Sequence, residues 1–364
     1  MNTSLTKQDI LHWLRETDPV RLDELWRLAD DTRHRQVSDA VYLRGLVEIS
    51  NFCARQCAYC GLRAGNDRLP RYRMLADEIF EAAQQAVRFG YGTVVLQAGE
   101  DYGLTGPWVE DIIHWIKNET PLAVTLSLGE RPERELAAWR EAGADRYLLR
   151  FETSDRHLFD EIHPPLGNRR CDRIAILHRL RELGYEIGSG IMVGIPGQTY
   201  ASVADDIELF RKLDLDMIGV GPFIPHPATP LGSGFKVFPP VNGEQVPNTE
   251  LMVYKVIALT RLVRPDANIP ATTALATINK KNGRELGLQR GANVFMPNVT
   301  PLKYRRLYEI YPAKACIAET SVKCNGCLTA RIGALGRLIG RGPGGRWTRQ
   351  NSTAVPVKRT LCHA

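Results

Sequence analysis

The 364-residue sequence lacks any apolar run of the ~18 residues that a helix needs to cross a bilayer. Its first residues, MNTSLTKQDILHWLRETDP, are polar and charged, so the apolar core of a signal peptide is also missing. These two absences predict a soluble, cytoplasmic protein that does not bind a membrane.

A strong charge of either sign is missing from most of the chain. Seven of the 47 Lys and Arg residues lie in residues 331–364, which contain no acidic residue: Arg331, Arg337, Arg341, Arg346, Arg349, Lys358 and Arg359. The other 40 are balanced by 41 Asp and Glu. A near-neutral body lacks the basic surface of a nucleic-acid-binding protein. We therefore expect no nucleic-acid partner and predict that 331–364 is a mobile basic tail.

Eight strand-like runs alternate with amphipathic segments along the chain. They are VEISNF (47–52), TVVLQAG (93–99), AVTLSLG (123–129), DRYLLRFE (145–152), EIGSGIMVG (186–194), MIGVGPFIP (217–225), IPATTAL (269–275) and ANVFMPN (292–298). This alternation predicts parallel βα units, and eight is the number that closes a TIM-type barrel. The predicted fold is therefore an α/β protein with a complete (β/α)8 barrel.

A glycine-rich phosphate loop is also absent, since GIPG and GPGG lack the lysine of a P-loop. An open doubly wound sheet is the alternative to a barrel, and it would usually carry such a loop after its first strand. This chain has cysteines at that place. Polar residues stand at or just past the predicted C-terminal strand ends, where barrels carry their chemistry: Gln97, Glu100, Ser127, Arg150, Glu152, Met192, His226, Thr272, Thr273 and Asn298.

Cysteine is scarce, but six of the eight cysteines form two triads. Cys53, Cys57 and Cys60 have the spacing C-x3-C-x2-C directly after the first predicted strand. Cysteines this close bind zinc or an iron–sulfur cluster, and zinc would need a fourth ligand, yet no His or Cys follows within the next forty residues. A cluster held by three thiolates leaves one iron free for another ligand. The spacing resembles that of radical S-adenosylmethionine (SAM) enzymes, whose usual aromatic residue before the third cysteine is matched by Tyr59.

The second triad, Cys316, Cys324 and Cys327, has the spacing C-x7-C-x2-C and follows the eighth predicted strand. Two interpretations stay open. One is a zinc knuckle or a set of buried structural thiols, and the other is a second iron–sulfur cluster.

The sequence resembles the HydE family, the radical SAM maturases of FeFe-hydrogenases, along nearly its whole length. The stretches that carry the resemblance are CARQCAYCGLR, RYRM, VTLSLGER, EAGADRYLLRFET, ELGYE, MVGIPGQT, GPFIPHP, TPL, NIPATTA, GANVFMPN and the second triad. The second triad separates it from biotin synthase and methylornithine synthase, which have similar barrels and first triads. Ala98 departs from the pattern, since a serine is expected after Gln97.

The resemblance implies a role for each matching position. Cys53, Cys57 and Cys60 would hold a 4Fe–4S cluster that binds SAM, and the second triad would hold a 2Fe–2S or 4Fe–4S cluster. SAM itself would be held by Ser127, Glu152, Arg173 and Met192. The substrate would contact residues lining the barrel interior: Gln97, Arg150, Thr272, Thr273 and Tyr304.

The resemblance also implies the activity. Reductive cleavage of SAM would give a 5′-deoxyadenosyl radical, which would act on a cysteine-bound iron carbonyl cyanide precursor of the hydrogenase H-cluster. The implied partners are the sister maturases HydG and HydF and an external electron donor. Two rivals stay open: a radical SAM mutase or sulfur-insertion enzyme like methylornithine synthase or biotin synthase, and a non-catalytic iron–sulfur carrier.

Together these patterns predict four regions: a helical extension (1–45), the radical SAM barrel (46–310), an accessory cysteine segment (311–330) and the basic tail (331–364). Cys171 is interpreted as a structural thiol without partners, and Cys362 as part of the tail.

Overall fold

The computed structural model of the protein describes residues 5–168, 170–236, 238 and 244–346. Its strands are β1 (Ala40–Ser50), β2 (Thr93–Ala98), β3 (Ala123–Ser127), β4 (Arg146–Leu148), β5 (Glu186–Val193), β6 (Met217–Pro222), β7 (Val294–Phe295) and β8 (Leu338–Ile339). Seven of them form a parallel sheet in the order β6-β5-β4-β3-β2-β1-β7, and β8 pairs with the start of β1.

The helices cover the outside of this sheet. They are α1 (Lys7–Arg15), α2 (Pro19–Val37), α3 (Ala76–Arg88), α4 (Gly106–Glu119), α5 (Glu133–Glu141), α6 (Arg156–Ile162), α7 (Arg173–Glu182), α8 (Tyr200–Lys212), α9 (Glu250–Val263), α10 (Thr273–Ile278), α11 (Gly283–Leu288), α12 (Leu302–Arg305) and α13 (Ser321–Ala334). No helix in the described part of the chain combines the length and apolar character needed to cross a membrane.

Local sequence explains where the elements begin and how closely they pack. Asp18 caps α2 through the N–H groups of Val20 and Arg21, and Pro19 occupies the first helical position. Gly190 of β5 pairs with Gly219 of β6, where a Cβ on Gly190 would lie 1.9 Å from the Gly219 carbonyl oxygen. Glycine is therefore required for these two strands to approach each other.

The first six predicted strands are present, but the seventh is not a strand. Between β6 and β7, the stretch predicted at 269–275 and the residue before it make two isolated parallel bridges, Pro270↔Val294 and Met217↔Asn268. Proline has no N–H to donate to a ladder, and Thr272 caps α10, so the second half of this stretch is helical. Of the eighth run, predicted at 292–298, only Val294–Phe295 (β7) forms a strand.

Two helices precede β1, as predicted, but β1 begins at Ala40, inside the range 1–45 predicted for the helical extension. Helices α1 and α2 pack on α8 and α9 on the outside of the sheet. Lys255 of α9 donates from Nζ to the carbonyl oxygen of Leu14 at 3.0 Å, which ties the end of α1 to this outer layer.

The prediction of a mobile basic tail is wrong for residues 336–346. The carbonyl oxygen of Pro343 accepts hydrogen bonds from Thr93 Oγ1 (2.8 Å) and Arg146 Nη2 (3.1 Å), and that of Gly344 accepts from Arg44 Nη2 (3.0 Å). All three donors stand at the N-terminal half of their strands. This segment therefore lies across the end of the sheet opposite the predicted site.

The basic side chains of this segment are paired with acidic ones. Arg337 contacts Asp30 and Arg346 contacts Asp214 at 2.6 and 2.7 Å, which explains why the local excess of positive charge does not leave the segment free. Residues 347–364, with Cys362, lie outside the described residues.

Candidate active site

The first triad lies on the loop that follows β1, and this loop is fixed by backbone hydrogen bonds to three other parts of the chain. The N–H groups of Ala54, Ala58 and Gly61 donate to the carbonyl oxygens of Glu100, Ile162 and Ile310 at 2.8–3.0 Å. The guanidinium of Arg71 adds four hydrogen bonds to carbonyl oxygens of the same loop. The cysteines are thus held on a rigid loop.

The thiols of the first triad are desolvated. Burial raises the pKa of Cys60 to about 12, and burial raises the pKa of Cys53 and, more strongly, of Cys57. In the metal-free chain these three groups are neutral thiols. A metal cluster bound here must displace their protons, so binding releases protons and is favoured at high pH.

The spacing of the thiols suits a cluster better than a single ion. Within the described part of the chain, the three sulfurs do not form a set in which all lie within 4.8 Å of one another. Thiolates on one zinc ion, with bonds of about 2.3 Å, stand roughly 3.8 Å apart. A cluster spreads its ligands further, so the donor set fits an iron–sulfur cluster with three protein ligands.

A cavity of about 320 Å³ opens beside Tyr59 and Cys60 at the C-terminal ends of the strands. The predicted residues that line it are Gln97, Ser127, Arg150, Glu152, Met192, Thr272 and Thr273. Its volume falls in the usual range for small-molecule sites, ~300–1,000 Å³. Seven of the ten residues named at predicted strand ends therefore share one cavity, whereas Glu100, His226 and Asn298 are not among its lining residues.

Glu152 has the features of a ligand-binding carboxylate. Its backbone has φ 62°, a left-handed conformation that is rare outside glycine and is often found at functional sites. The side chain is buried, and its Oε2 atom has no hydrogen-bond partner among the described residues. The guanidinium of Arg150 lies 3.1 Å from Oε2 as an ion pair. This buried carboxylate oxygen has an ion-pair partner but accepts no hydrogen bond, so it can still accept one from an ammonium group, as the resemblance implies for SAM.

Three predicted substrate contacts already have structural partners. Gln97 Nε2 donates to the hydroxyl of Tyr308 at 3.2 Å, Thr272 Oγ1 donates to the carbonyl oxygen of Val220 at 3.3 Å, and Thr273 Oγ1 accepts from Arg284 at 3.1 Å. These bonds fix the orientation of the side chains at the cavity wall.

Tyr304 does not line this cavity. Its hydroxyl donates to Glu78 at 2.8 Å, and its ring stacks on Tyr72 with 4.6 Å between ring centroids. Tyr304 belongs to α12, and its hydroxyl contacts Glu78 of α3. Its side chain therefore lies on the outside of the sheet. Tyr311 lines the cavity in its place.

Sequence reasoning missed a buried ion pair at the cavity wall. Lys314 donates from Nζ to Glu48 and, at 3.0 Å, to the carbonyl oxygen of Tyr308, and Asn298 donates to the other oxygen of Glu48 at 2.9 Å. Both Lys314 and Glu48 line the cavity. Glu48 is within β1 and Lys314 is on a loop, so neither stood at a predicted strand end.

Arg173 lies behind the cavity wall, in a network centred on Glu130. Arg173 donates to Glu130 at 3.1 Å and to the carbonyl oxygen of Arg150 at 2.6 Å, and Arg55 contacts the other oxygen of Glu130 at 2.7 Å. Burial alone would raise the pKa of Glu130, but the charges of Arg173 and Arg55 and the hydrogen bond from Cys171 lower it below its usual range.

Cys171 belongs to the same network, which corrects its interpretation as a thiol without partners. Its Sγ donates to Glu130 at 2.5 Å. Ligand atoms of Glu130, His163 and Cys171 lie within 4.8 Å of one another. Two guanidinium groups, of Arg55 and Arg173, already balance the carboxylate, so this cluster is unsuited to a metal cation.

The second triad lies beside a separate cavity of about 460 Å³. Cys324 is buried on α13, Cys316 is half-buried with φ 63°, and Cys327 is exposed. Ligand atoms of Cys316, Glu319 and Cys324 lie within 4.8 Å of one another. The hydrogen bond from Cys324, together with the charge of Arg284, lowers the pKa of Cys316 below its usual value.

The sequence of this chain is similar to those of known proteins. Residues 47–210 match the family model for the Radical SAM superfamily. The [FeFe] hydrogenase maturase subunit HydE of Thermotoga maritima is 47% identical over 324 residues, which cover 89% of each chain. This chain belongs to the HydE family. It is therefore a radical SAM enzyme with a role in FeFe-hydrogenase maturation, and its family uses a 4Fe–4S cluster and SAM.

Other relatives are more distant from this HydE-family chain. The 3-methylornithine synthase of Methanosarcina acetivorans is 29% identical over 80% of this chain and 78% of its own. The crystal structure of methylornithine synthase (PylB) has a TM-score of 0.76 at 24% identity and covers 93% of this chain and 95% of its own. The structure of the maturase HydG from Carboxydothermus hydrogenoformans has a TM-score of 0.67 at 19% identity and covers 82% of this chain and 68% of its own. The two structures support the parallel α/β half-barrel fold.

Proposed function

We propose that this HydE-family enzyme acts on a cysteine-bound iron carbonyl cyanide precursor of the FeFe-hydrogenase H-cluster. One observation carries the proposal: the three-cysteine loop adjoins a cavity that is lined by a buried Glu152 oxygen without a hydrogen bond and by the cationic groups of Arg44, Arg150 and Lys314. These three cations exceed the two carboxylates of the lining, Glu48 and Glu152, and the net positive charge suits a cyanide-bearing, anionic iron complex.

On this proposal the residues divide between SAM and the substrate. The bound cluster supplies the reductive cleavage of SAM. Glu152 accepts hydrogen bonds from the amino group of SAM, Ser127 binds its polar end, and Met192 packs on the adenine. Arg173 orients this wall through its bond to the Arg150 carbonyl.

The substrate contacts are proposed on the opposite wall. Gln97, Thr272 and Thr273 would bind the cysteine part of the substrate, and Arg150 its anionic metal group. Each of the first three side chains is held in place by an existing hydrogen bond, so little conformational freedom is lost on binding.

The proposal includes complete closure of a (β/α)8 barrel around the cavity. Support comes from the two parallel bridges at Asn268 and Pro270, which link the edge strands β6 and β7, and from the bridge between Leu46 and Asn298. A closed barrel would exclude water from a reactive radical.

We further propose that Cys316, Cys324 and Cys327 hold a second iron–sulfur cluster, of the 2Fe–2S or 4Fe–4S type. The half-buried thiolate of Cys316 next to Arg284 supports metal binding, since the thiolate is the ligand form. The maturases HydG and HydF and an external electron donor are the proposed partners. HydG would deliver the substrate.

The decisive experiment is hydrogenase maturation in vitro with the protein supplied or withheld, after anaerobic reconstitution. We expect active hydrogenase only when the protein is supplied, and cleavage of SAM to 5′-deoxyadenosine and methionine on reduction. SAM cleavage without any gain of hydrogenase activity would contradict the substrate proposal and favour a mutase like the methylornithine synthases. No cleavage with the cluster confirmed intact would favour an iron–sulfur carrier.

A further inference from the structure

His163 is a buried histidine that neither the sequence argument nor the proposed function uses. It follows α6 in the sequence EIHPP and is 1% exposed. Its Nδ1 atom lies 3.0 Å from the Sγ of Cys57, although the two residues are 106 positions apart in the chain. The fold therefore places an imidazole directly against one sulfur of the first triad.

The opposite edge of the ring is also held. Nε2 lies 3.1 Å from Nη2 of Arg173 and 3.4 Å from Oε1 of Glu130. The ring packs on Phe159 with 5.0 Å between ring centroids. Glu130 is anchored in turn by Arg55 at 2.7 Å. His163 cannot rotate away from Cys57 without breaking these contacts.

The direction of the hydrogen bond follows from the chemistry of the partners. A sulfur that binds iron as a thiolate carries no hydrogen and only accepts hydrogen bonds. Nδ1 must therefore carry a hydrogen when the cluster is bound, because its lone pair would otherwise face the thiolate. Arg173 has only donors, so it suits a ring whose Nε2 is an acceptor.

We infer that His163 donates its Nδ1–H to the Cys57 thiolate and thereby raises the reduction potential of the SAM-binding cluster. The inference rests on the cluster that the HydE family binds at the first triad. A hydrogen bond to a cluster sulfur withdraws electron density from the iron and stabilises the reduced state. His163 is thus a positioning residue that acts through Cys57.

A side-chain donor distinguishes Cys57 from Cys53, whose sulfur accepts from the backbone N–H of Glu100 at 3.4 Å. A backbone donor is removed only by a proline, which would also change the backbone, whereas the side-chain donor of His163 can be replaced by itself. Asparagine places an N–H donor at the position of Nδ1, and glutamine places one nearer the position of Nε2. The pair His163→Asn and His163→Gln therefore separates the two edges of the ring.

The test is an EPR-monitored redox titration of the anaerobically reconstituted protein without SAM. We expect His163→Leu and His163→Gln to weaken one-electron reduction by roughly three- to tenfold, where tenfold corresponds to ~59 mV. His163→Asn should recover most of the loss. His157→Leu is the matched control, since His157 is exposed on α6, the helix that His163 directly follows. This variant should leave the potential unchanged.

Two outcomes would overturn the inference: unchanged potentials in His163→Leu and His163→Gln, or an equal fall in His163→Asn and His163→Leu. If the variants do not retain a cluster, the wild-type protein labelled with 15N-histidine still decides the matter. Pulsed EPR of its reduced cluster should show a weak 15N coupling, and absence of that coupling refutes the hydrogen bond. Failure of the wild-type protein to assemble any cluster would instead contradict the cofactor assignment.

Discussion

The two cysteine triads have the same number of ligands but different surroundings. In the first, the thiols are desolvated, neutral and spread along a rigid loop that adjoins the strand-end cavity. In the second, Cys316 and Cys324 are in mutual hydrogen-bonding contact, Cys316 tends to be a thiolate, and Cys327 is exposed. A count of cysteines does not separate these sites. Their burial and their neighbours do.

The strongest contrast is expected when one cysteine of each triad is removed. Cys57→Ala should abolish both SAM cleavage and hydrogenase maturation, because the cluster loses its most deeply buried protein ligand. Cys324→Ala should leave much of the maturation activity, because the second triad lies outside the SAM-binding cavity. The measurement is hydrogenase activity after maturation in vitro, with Cys171→Ser as control. Equal losses would show that both triads are needed for turnover.

In the metal-free protein, the two triads should differ in the reactivity of their thiols. The hydrogen bond from Cys324 and the charge of Arg284 lower the pKa of Cys316 below that of an ordinary thiol, whereas Cys60 with a pKa of about 12 is neutral at pH 7. Since only the thiolate is nucleophilic, Cys316 should react with iodoacetamide at least ~100-fold faster. Its rate should rise with pH and level off at a lower pH than the rate of an ordinary thiol, as followed by mass spectrometry.

Arg284→Leu gives a control for this reactivity. It removes the guanidinium that lies 3.7 Å from Cys316 Sγ, and so the pH at which Cys316 becomes reactive should rise. A rate for Cys316 that matches that of Cys60 at pH 7 would contradict the electrostatic difference between the triads.

Charge removal near each triad should affect SAM binding only at the first. Glu152→Gln keeps the shape of the buried side chain but removes its charge, and we expect SAM affinity to fall by ~10- to 100-fold, the range for a charge-assisted hydrogen bond. Glu319→Gln changes the carboxylate beside the second triad and is the matched control. Equilibrium binding of SAM to the reconstituted protein measures both. A loss of affinity in Glu319→Gln alone would reverse the assignment.

The smallest expected difference concerns iron loss to a chelator. Because Cys327 is exposed and Cys57 is buried, iron held by the second triad should be removed severalfold faster than iron held by the first. Iron release from wild-type protein, compared with Cys324→Ala, measures this difference. Single-phase release from the wild-type protein, at the rate of the first triad, would argue against a second cluster.

The parts of the site that were predictable are local in sequence. The first triad, the aromatic Tyr59 and the carboxylate of Glu152 stand in fixed positions relative to a strand end, and a parallel sheet brings such ends to one face. Tyr304 was assigned to the interior by resemblance alone, and the structure places it against Glu78 because α12 turns its ring outward. The prediction of a strand at 269–275 was wrong because a proline and a helix-capping threonine interrupt this stretch.

The sequence by itself determined the alternation of strands and helices, the ligand spacing and, through 47% identity to a relative, the family. Only the tertiary structure decided which residues surround the ligands. His163 meets Cys57 across 106 positions and Lys314 meets Glu48 across 266, and the basic segment 336–346 pairs with acidic residues at the far end of the sheet. The physical reason is that spacing fixes contacts within a loop or helix, whereas contacts between distant segments depend on how the whole chain packs.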